Sequence, residues 1–526
     1  DFAVSDNLVD WEERADVLLP AAKGPAFSGS AVVDTGNVSG LGRGGNPPIF
    51  LFYTAAGGKG RRSMHEQHSV CLAVSTDGGQ TFAPYPKNPI VSSIAPGNRD
   101  PKVAWDEKTG RWIMLLYSDD AGYITLTSQN LLSWQPLPGR LRPKDRECPD
   151  LFRLPLDGNS RDQRWIFLGA GGSYALADIS DQGLVLTSEE KSLHAGGEYY
   201  AGQTFSNAPD GRVILLARFN NWFEGELFFN SMTVPLELSL VTDATGKPQL
   251  RAWPVAELDQ LRMEKQSFAD TPWRQGLSMK APELADLEFT ADETRVLTVT
   301  IRGKELRWEA ARGKISWGGK EYACPAVSSP MKVRILIDRS GIEVFEKNSG
   351  LYLPLTARFD ATAPHRLELL GEGEGFLKSL SLWKLREMVR DGGRPTSSVV
   401  RAVEAETRSG SLERKIRLDR RYLLWPVKTG EKDGPTQRVT VTVDGKLVHA
   451  FAIELSEKPD WFAHTDMSSW QGKEAVIRVD GKWPANSAPA PGSTALGLVQ
   501  KSDKIWEEEN LYHEKLRPQF HFSPRR

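Results

Sequence analysis

The chain has 526 residues, 40% apolar and 25% charged, with a formal net charge of −2 and a pI near 6.5. That balance fits globular folding in about three domains and argues against nucleic acid or an anionic membrane as the main partner. Three scattered cysteines, Cys71, Cys148 and Cys324, are too few for a disulfide framework or a zinc site, and no apolar run reaches the roughly 20 residues of a membrane span. No signal peptide stands at Asp1, so the sequence is expected to be a processed form or a chain without its native start.

In chain order, the first 240 residues hold short runs rich in branched and aromatic side chains. They are "PIFLFYTA" (48–55), "RWIMLLYS" (111–118), "RWIFLGA" (164–170) and "GRVILLAR" (211–218), each following turn or polar residues as strands do. A second unit recurs among them as "AVSDNLVDW" (3–11), "AVSTDGGQTF" (73–82), "LTSQNLLSW" (126–134) and "ALADISDQGL" (175–184). Each is a small apolar strand, a polar turn and usually a closing aromatic or aliphatic residue. This degenerate repeat of about 50–60 residues predicts a propeller of four or five blades, with a sandwich built from hairpins as the alternative.

Beyond it, "LDQLR" (258–262) predicts a short helix or linker. Runs such as "VRILIDRSGIEVFEK" (333–347) alternate with period two, the pattern of half-buried antiparallel strands, over roughly 280–388. "RDGGRPTSSVV" (390–400) reads as a linker. A third β region over about 403–484 contains a hairpin turning at Asp444–Gly445, and "PANSAPAPGST" (484–494) is a second flexible linker. The region shows no clear aromatic platform, which favours bracing over polysaccharide binding. The C-terminal "YHEKLRPQFHFSPRR" (512–526) alternates like the approach to a buried strand.

Two acidic motifs each occupy a turn before an apolar strand. "GNRDPKVAW" carries Arg99, Asp100 and Pro101, and "RECPDLF" carries Glu147, Cys148, Pro149 and Asp150. The innermost strand of each propeller blade opens on a central channel, so acids at strand starts converge there. Pro101 biases Asp100 toward an extended backbone, and Arg99 offers a planar fork to a carboxylate or a sugar hydroxyl. Converging carboxylates suit glycosidic bond cleavage, where one acid protonates the leaving oxygen and another attacks or supports the cation. Taken singly, Asp100 reads as a turn cap and Glu147 as a surface charge. His65 and His68 in "MHEQH" lack nearby partners for a metal site.

With "AFSGSAVVD" (26–34), these motifs resemble glycoside hydrolase family 32, the levanases, inulinases and invertases, in order and in separation. "EYYAGQTFSN" (198–207), "NSMTVPLELSL" (230–240) and "VRILIDRSGIEVF" (333–345) extend the resemblance over roughly residues 1–385. It implies an all-β chain: a five-bladed β-propeller catalytic domain at 1–255 with an incomplete first blade, a C-terminal-type β-sandwich at 256–388, a further small β domain at 403–484, and a lead-in segment at 495–526 that packs back on the propeller.

The resemblance also implies retaining chemistry on β-fructosides of the levan, inulin or sucrose type. Glu147 would be the general acid/base and Asp100 the transition-state stabiliser. Phe27, Ser28, Arg99 and Glu198 would line the pocket for a terminal fructose, with Trp222 at its border and Cys148 as a packed neighbour. Crowding by other carboxylates is expected to raise the Glu147 pKa, as an acid requires. The implied partner is a fructose-containing oligo- or polysaccharide, with no metal and no organic cofactor, in a secreted or periplasmic bacterial setting.

One departure stands out. The family's nucleophile is the Asp of an Asn-Asp-Pro-Asn-Gly motif, and these 526 residues contain no such motif. The C-terminal "ENLYHEKLRPQFHFSPRR" resembles family sequence just before the nucleophile, and "DFAVSDNLVDW" resembles sequence after it. The expectation is a permuted order with a gap at an unidentified nucleophile, Phe520 and Phe522 packed beside residues 1–11, and impaired turnover. A non-catalytic fructan-binding protein and a propeller glycosidase for another furanoside are the alternatives.

Overall fold

The computed structural model describes residues 2–388 and 410–503, apart from 15–16, 19–22, 60–62, 64, 121, 222–229, 293–295, 326, 328, 360–364, 428–436, 454, 456–458, 460 and 482–495. Trp222, Phe520 and Phe522 therefore lie outside the described residues.

Residues 2–254 fold into five antiparallel sheets, the blades of a propeller. The smallest pairs β1 (Phe2–Val4) with β2 (Glu12–Arg14). The next runs β3 (Ala26–Val33), β4 (Ile49–Ala55), β5 (Ser69–Ser75) and β6 (Ala83–Pro84). A third comprises β7 (Arg99–Asp106), β8 (Arg111–Ser118), β9 (Gly122–Ser128) and β10 (Gln135–Leu141). The fourth comprises β11 (Asp150–Pro155), β12 (Gln163–Leu168), β13 (Ser173–Ser180) and β14 (Gly183–Leu186), with β15 (Lys191–Ser192) also on β13. The last contains β16 (Tyr199–Thr204) and β17 (Val213–Phe219), then β18 (Ser231–Met232) and β19 (Leu236–Thr242) on β17, and β20 (Pro248–Pro254).

The sequence repeat is turn chemistry. Ser128 Oγ accepts the Leu131 N–H at 2.9 Å, and Asn130 Oδ1 accepts those of Leu132 and Ser133. Leu131 takes φ +64° and the Trp134 indole donates to its carbonyl at 3.0 Å. Asn7, Leu8 at φ +59° and Trp11 repeat the arrangement in the first sheet. Side-chain oxygens satisfying successive backbone donors explain why Ser, Asn and a closing Trp recur while the strands between them vary.

The inner strands lie side by side, β3 against β7, β7 against β11 and β11 against β16. A buried ion pair fastens three of them. Lys102 Nζ of β7 sits 2.6 Å from Asp150 Oδ1 of β11, and the other Asp150 oxygen accepts the Thr204 N–H of β16 at 2.6 Å. Apolar faces fill the space between blades: Phe50, Phe52 and Leu72 pack with Met114, Leu116 and Trp134, and Ile113 and Tyr123 pack with Phe167 and Leu184.

After a 3-10 turn at Ala256–Leu261, where the sequence predicts a short helix or linker, two six-stranded antiparallel sheets form a sandwich over residues 262–385. Its period-two strands direct Phe289, Trp308, Ile335 and Leu369 into one core. Leu336, Phe345 and Tyr352 point the other way, into a core shared with the last two blades, so propeller and sandwich are packed as one body there. Gly197 marks the contact: at φ +87° it leaves room for the Pro354 carbonyl, which a Cβ would meet at 1.8 Å.

A third β unit holds a four-stranded and a three-stranded sheet with their own core. Its hairpin turns at Asp444 and Gly445, both at positive φ as a two-residue type I′ turn requires. The expected boundary at 484 is too early. Leu496 and Val499 belong to this core, and Gln500–Ser502 adds a strand beside Tyr422–Val427. Residues 496–503 thus belong to this unit, because its three-stranded sheet needs them to pair an edge.

Candidate active site

At their leading ends, where the propeller's inner strands open, three of them are bulged. Register shifts fall between Phe27 and Gly29 in β3, between Arg99 and Lys102 in β7, and between Tyr200 and Gln203 in β16. A bulge inserts an unpaired residue and re-aims its neighbours, so the motif side chains leave the blade stacking and turn inward. Asp100 (φ +60°), Glu147 (φ +58°), Cys148 (φ +34°) and Ala201 (φ +52°) all adopt left-handed backbone here. Strain of this kind persists only where surrounding contacts over-determine it.

The Asp100 conformation corrects the extended backbone expected before Pro101. Its N–H donates to Thr54 Oγ1 at 2.8 Å, and its carboxylate accepts the Cys148 N–H at 3.0 Å. These two anchors, from the neighbouring blades, overcome the proline's preference. Asp100 is 6% exposed, and burial raises its pKa against the opposing pull of the Cys148 N–H and Arg99.

Glu147 lies opposite. Its Oε1 accepts from Arg99 Nη2 at 2.6 Å, its Oε2 accepts from the Tyr200 hydroxyl, and its backbone carbonyl accepts from Tyr123 Oη at 2.8 Å. The expected rise in its pKa is overturned. The Tyr200 hydrogen bond, reinforced by Arg99 and only partly opposed by burial, holds the Glu147 carboxyl below its ordinary value. The charge of Asp119 pushes it upward, but hydrogen bonds to the charged form outweigh it.

Arg99 links the acids. Its Nε is 3.8 Å from Asp100 Oδ2, Nη2 reaches both Glu147 and Asp119, and its guanidinium lies 4.7 Å from the Tyr117 ring centre. Cys148 packs with its thiol 3.6 Å from Asp100 Oδ2, and burial beside that charge pushes it up to about 12. A thiol so disfavoured as thiolate is a neighbour, not a nucleophile.

Ser28 lies in the β3 bulge, its carbonyl accepting from Thr54 Oγ1 at 3.1 Å, and Phe27 beside it is 42% exposed with its ring edge-on to His68. The structure brings Ser28, Arg99, Asp100 and Glu147 together. Glu198 is fixed through its backbone, its N–H donating to the Pro354 carbonyl of the sandwich at 3.1 Å and its carbonyl accepting from Asn220 at 2.8 Å, and among the described residues no hydrogen bond or ion pair joins its carboxylate to this cluster. Sequence reasoning missed Tyr200, Asp119, Tyr123 and Thr54. Tyr200 stood inside the quoted "EYYAGQTFSN", whereas Asp119 is a turn aspartate with no distinguishing neighbours. Among the described residues the one cluster of three carboxylates close enough for a metal is Asp259, Asp286 and Glu288. Arg262 and Arg334 occupy it as ion-pair partners.

The glycosyl hydrolases family 32 N-terminal domain matches residues 1–254, the span that carries every residue of this cluster. Residues 1–254 thus form a glycoside hydrolase family 32 domain. A levanase of Bacillus subtilis (strain 168) is 28% identical over 444 residues, covering 73% of this chain and 64% of the relative. An extracellular exo-inulinase of Meyerozyma guilliermondii is 29% identical over 266 residues, covering 46% and 50%. The chain thus spans under two thirds of the length of these relatives. In fold it is similar to β-fructofuranosidase from Schwanniomyces occidentalis complexed with fructosyl-erythritol, with a TM-score of 0.62 and 20% identity over 73% of this chain and 88% of that one. No helix among the described residues is long and apolar enough to cross a membrane.

Proposed function

We propose that the chain carries the acid and stabiliser half of a retaining β-fructosidase site, for fructose-terminated substrates of the levan, inulin or sucrose type. The observation that carries this reading is the single cluster in which Arg99 contacts Glu147 while the residue after Glu147 donates its N–H to Asp100. Glu147 is the group with access to solvent, 35% exposed, and takes the role of proton donor and acceptor at the leaving oxygen. Asp100, buried and held from two sides, is suited to hydrogen-bond sugar hydroxyls and to balance the oxocarbenium-like charge. Phe27, Ser28, Arg99 and Glu198 line the fructose pocket in this proposal. Secretion or periplasmic location rests on the extracellular relative alone.

The 526 residues contain no Asn-Asp-Pro-Asn-Gly sequence, and the third carboxylate of the described cluster, Asp119, is paired with Arg99. A chain of these residues alone is therefore expected to bind fructosides and turn them over slowly, since covalent catalysis is lost while positioning and the acid remain. Fructose release from levan, inulin and sucrose, measured beside Glu147→Gln, tests both parts. Residual turnover should fall further in Glu147→Gln. Equal rates in the two proteins would overturn the acid assignment, whereas fast turnover abolished by the variant would uphold the acid and refute the impairment.

A further inference from the structure

Arg99 is the cation of the cluster, and three carboxylates share it: Asp100, Asp119 and Glu147. While Glu147 is ionised, both it and Asp119 accept from the same nitrogen, Nη2, at 2.6 and 2.8 Å. A general acid must pass through a neutral form, and at that moment the pairing of Arg99 with Glu147 weakens. A half-buried guanidinium left without a full partner would oppose protonation. We propose that Asp119 is a positioning residue for Glu147: it is the alternative seat of the Arg99 guanidinium, and by holding it there allows Glu147 to take up a proton. The inference rests on the acid role proposed for Glu147.

The local backbone is shaped for this contact. Asp119 follows β8 in its turn to β9, and its N–H donates to Pro96 at 3.2 Å. Gly97, at φ +63°, gives its carbonyl to Arg99 Nη1 at 2.7 Å. A Cβ on Gly97 would stand 2.1 Å from Asp119 Oδ2, so the close approach of the Asp119 carboxylate requires glycine at this position. Asp119 is itself 54% exposed and carries no other described ion pair, which leaves Arg99 as its partner.

Against Glu147 stand Tyr200 from β16, Tyr123 from β9, and Asp100 and Arg99 from β7. Behind Tyr200 lies Arg218, 5.0 Å from its ring. Around Arg99 and Asp119 stand His68 and Arg146, both of which act on the Asp119 carboxylate in the same direction as Arg99. The charge on Asp119 raises the Glu147 pKa, in keeping with the proposed role.

The test is a carboxyl carbon-13 NMR titration of the glutamate-labelled 526-residue chain, with the Glu147 signal assigned by its loss in Glu147→Gln. Asp119→Asn should weaken the proton affinity of Glu147 roughly threefold to tenfold, moving its midpoint to lower pH, and Asp119→Glu should restore it. In an Arg99→Lys background, which loses the shared fork, the effect of Asp119→Asn should shrink. A midpoint unmoved or raised in folded Asp119→Asn would overturn the proposal. So would an equal shift in the Arg99→Lys background, which would show a through-space charge effect rather than positioning. The readout needs no turnover, so failure of the acid assignment in the hydrolysis assay and failure of this inference are separate results.

Discussion

Tyr200 favours the ionised form of Glu147. Its hydroxyl donates to the carboxylate and is the largest single cause holding that carboxyl below its ordinary value. The sign follows from linkage: a depressed folded pKa adds stability above the unfolded value and loses it as pH falls through the folded one. Tyr200→Phe should therefore raise the Glu147 midpoint, and with it the alkaline limb of any residual hydrolysis; a carboxyl titration of the variant checks both the direction and the loss of the hydrogen bond. Arg99, Asp100 and Glu147 were legible in sequence because each sits in a short motif before a strand. Tyr200 and Asp119 were not, because their roles arise from a bulge in β16 and the β8–β9 turn, which period-two patterning does not show. The left-handed Asp100 was also hidden, since proline chemistry pointed the other way and the deciding anchors come from blades distant in sequence.

At the scale of elements, the site depends on how firmly β7, β11 and β16 hold together. Lys102 and Asp150 are both buried, and the lysine's ion pair and the Thr204 N–H complete the bonding of the Asp150 carboxylate. Removing one partner strands the other charge in an apolar setting. Lys102→Met should cost about 3–5 kcal/mol of stability, read from denaturant unfolding of the propeller, and a loss under about 1 kcal/mol would show that the pair does not fasten the strands. The apolar runs predicted the strands next to these, β8, β12 and β17, to within a few residues: Arg111–Ser118 matches "RWIMLLYS" end to end. Lys102 itself looked like an ordinary charge, because only the packing of successive blades brings Asp150 and Thr204 to it.

The whole molecule adds a pH-dependent joint. Glu343 of the sandwich accepts the Val234 N–H of the last blade at 2.8 Å and the Tyr352 hydroxyl at 2.7 Å, with the charge of Asp338 also acting on it. Burial pushes its carboxyl up to about 7 from an ordinary 4.5. A raised folded pKa gives stability that is full below the unfolded value and is lost as pH rises through 7, an effect on the order of 3 kcal/mol. The melting temperature should therefore fall between pH 5 and 8, and Glu343→Gln should flatten that dependence; a parallel slope in the variant would place the titrating group elsewhere. The repeat, the period-two alternation and the family motifs made the propeller and sandwich readable, while the end of the third unit was not, since Leu496 and Val499 follow a Pro- and Ala-rich stretch that reads as a linker.

The central claim is that Arg99, Asp100 and Glu147 form one fructoside site, and calorimetric titration of the 526-residue chain with fructo-oligosaccharide tests it most directly. The chain and Glu147→Gln should both bind, and Asp100→Asn, which removes the buried charge proposed to face the sugar hydroxyls, should bind at least about tenfold more weakly. No binding by the chain, or equal binding by Asp100→Asn, would contradict it.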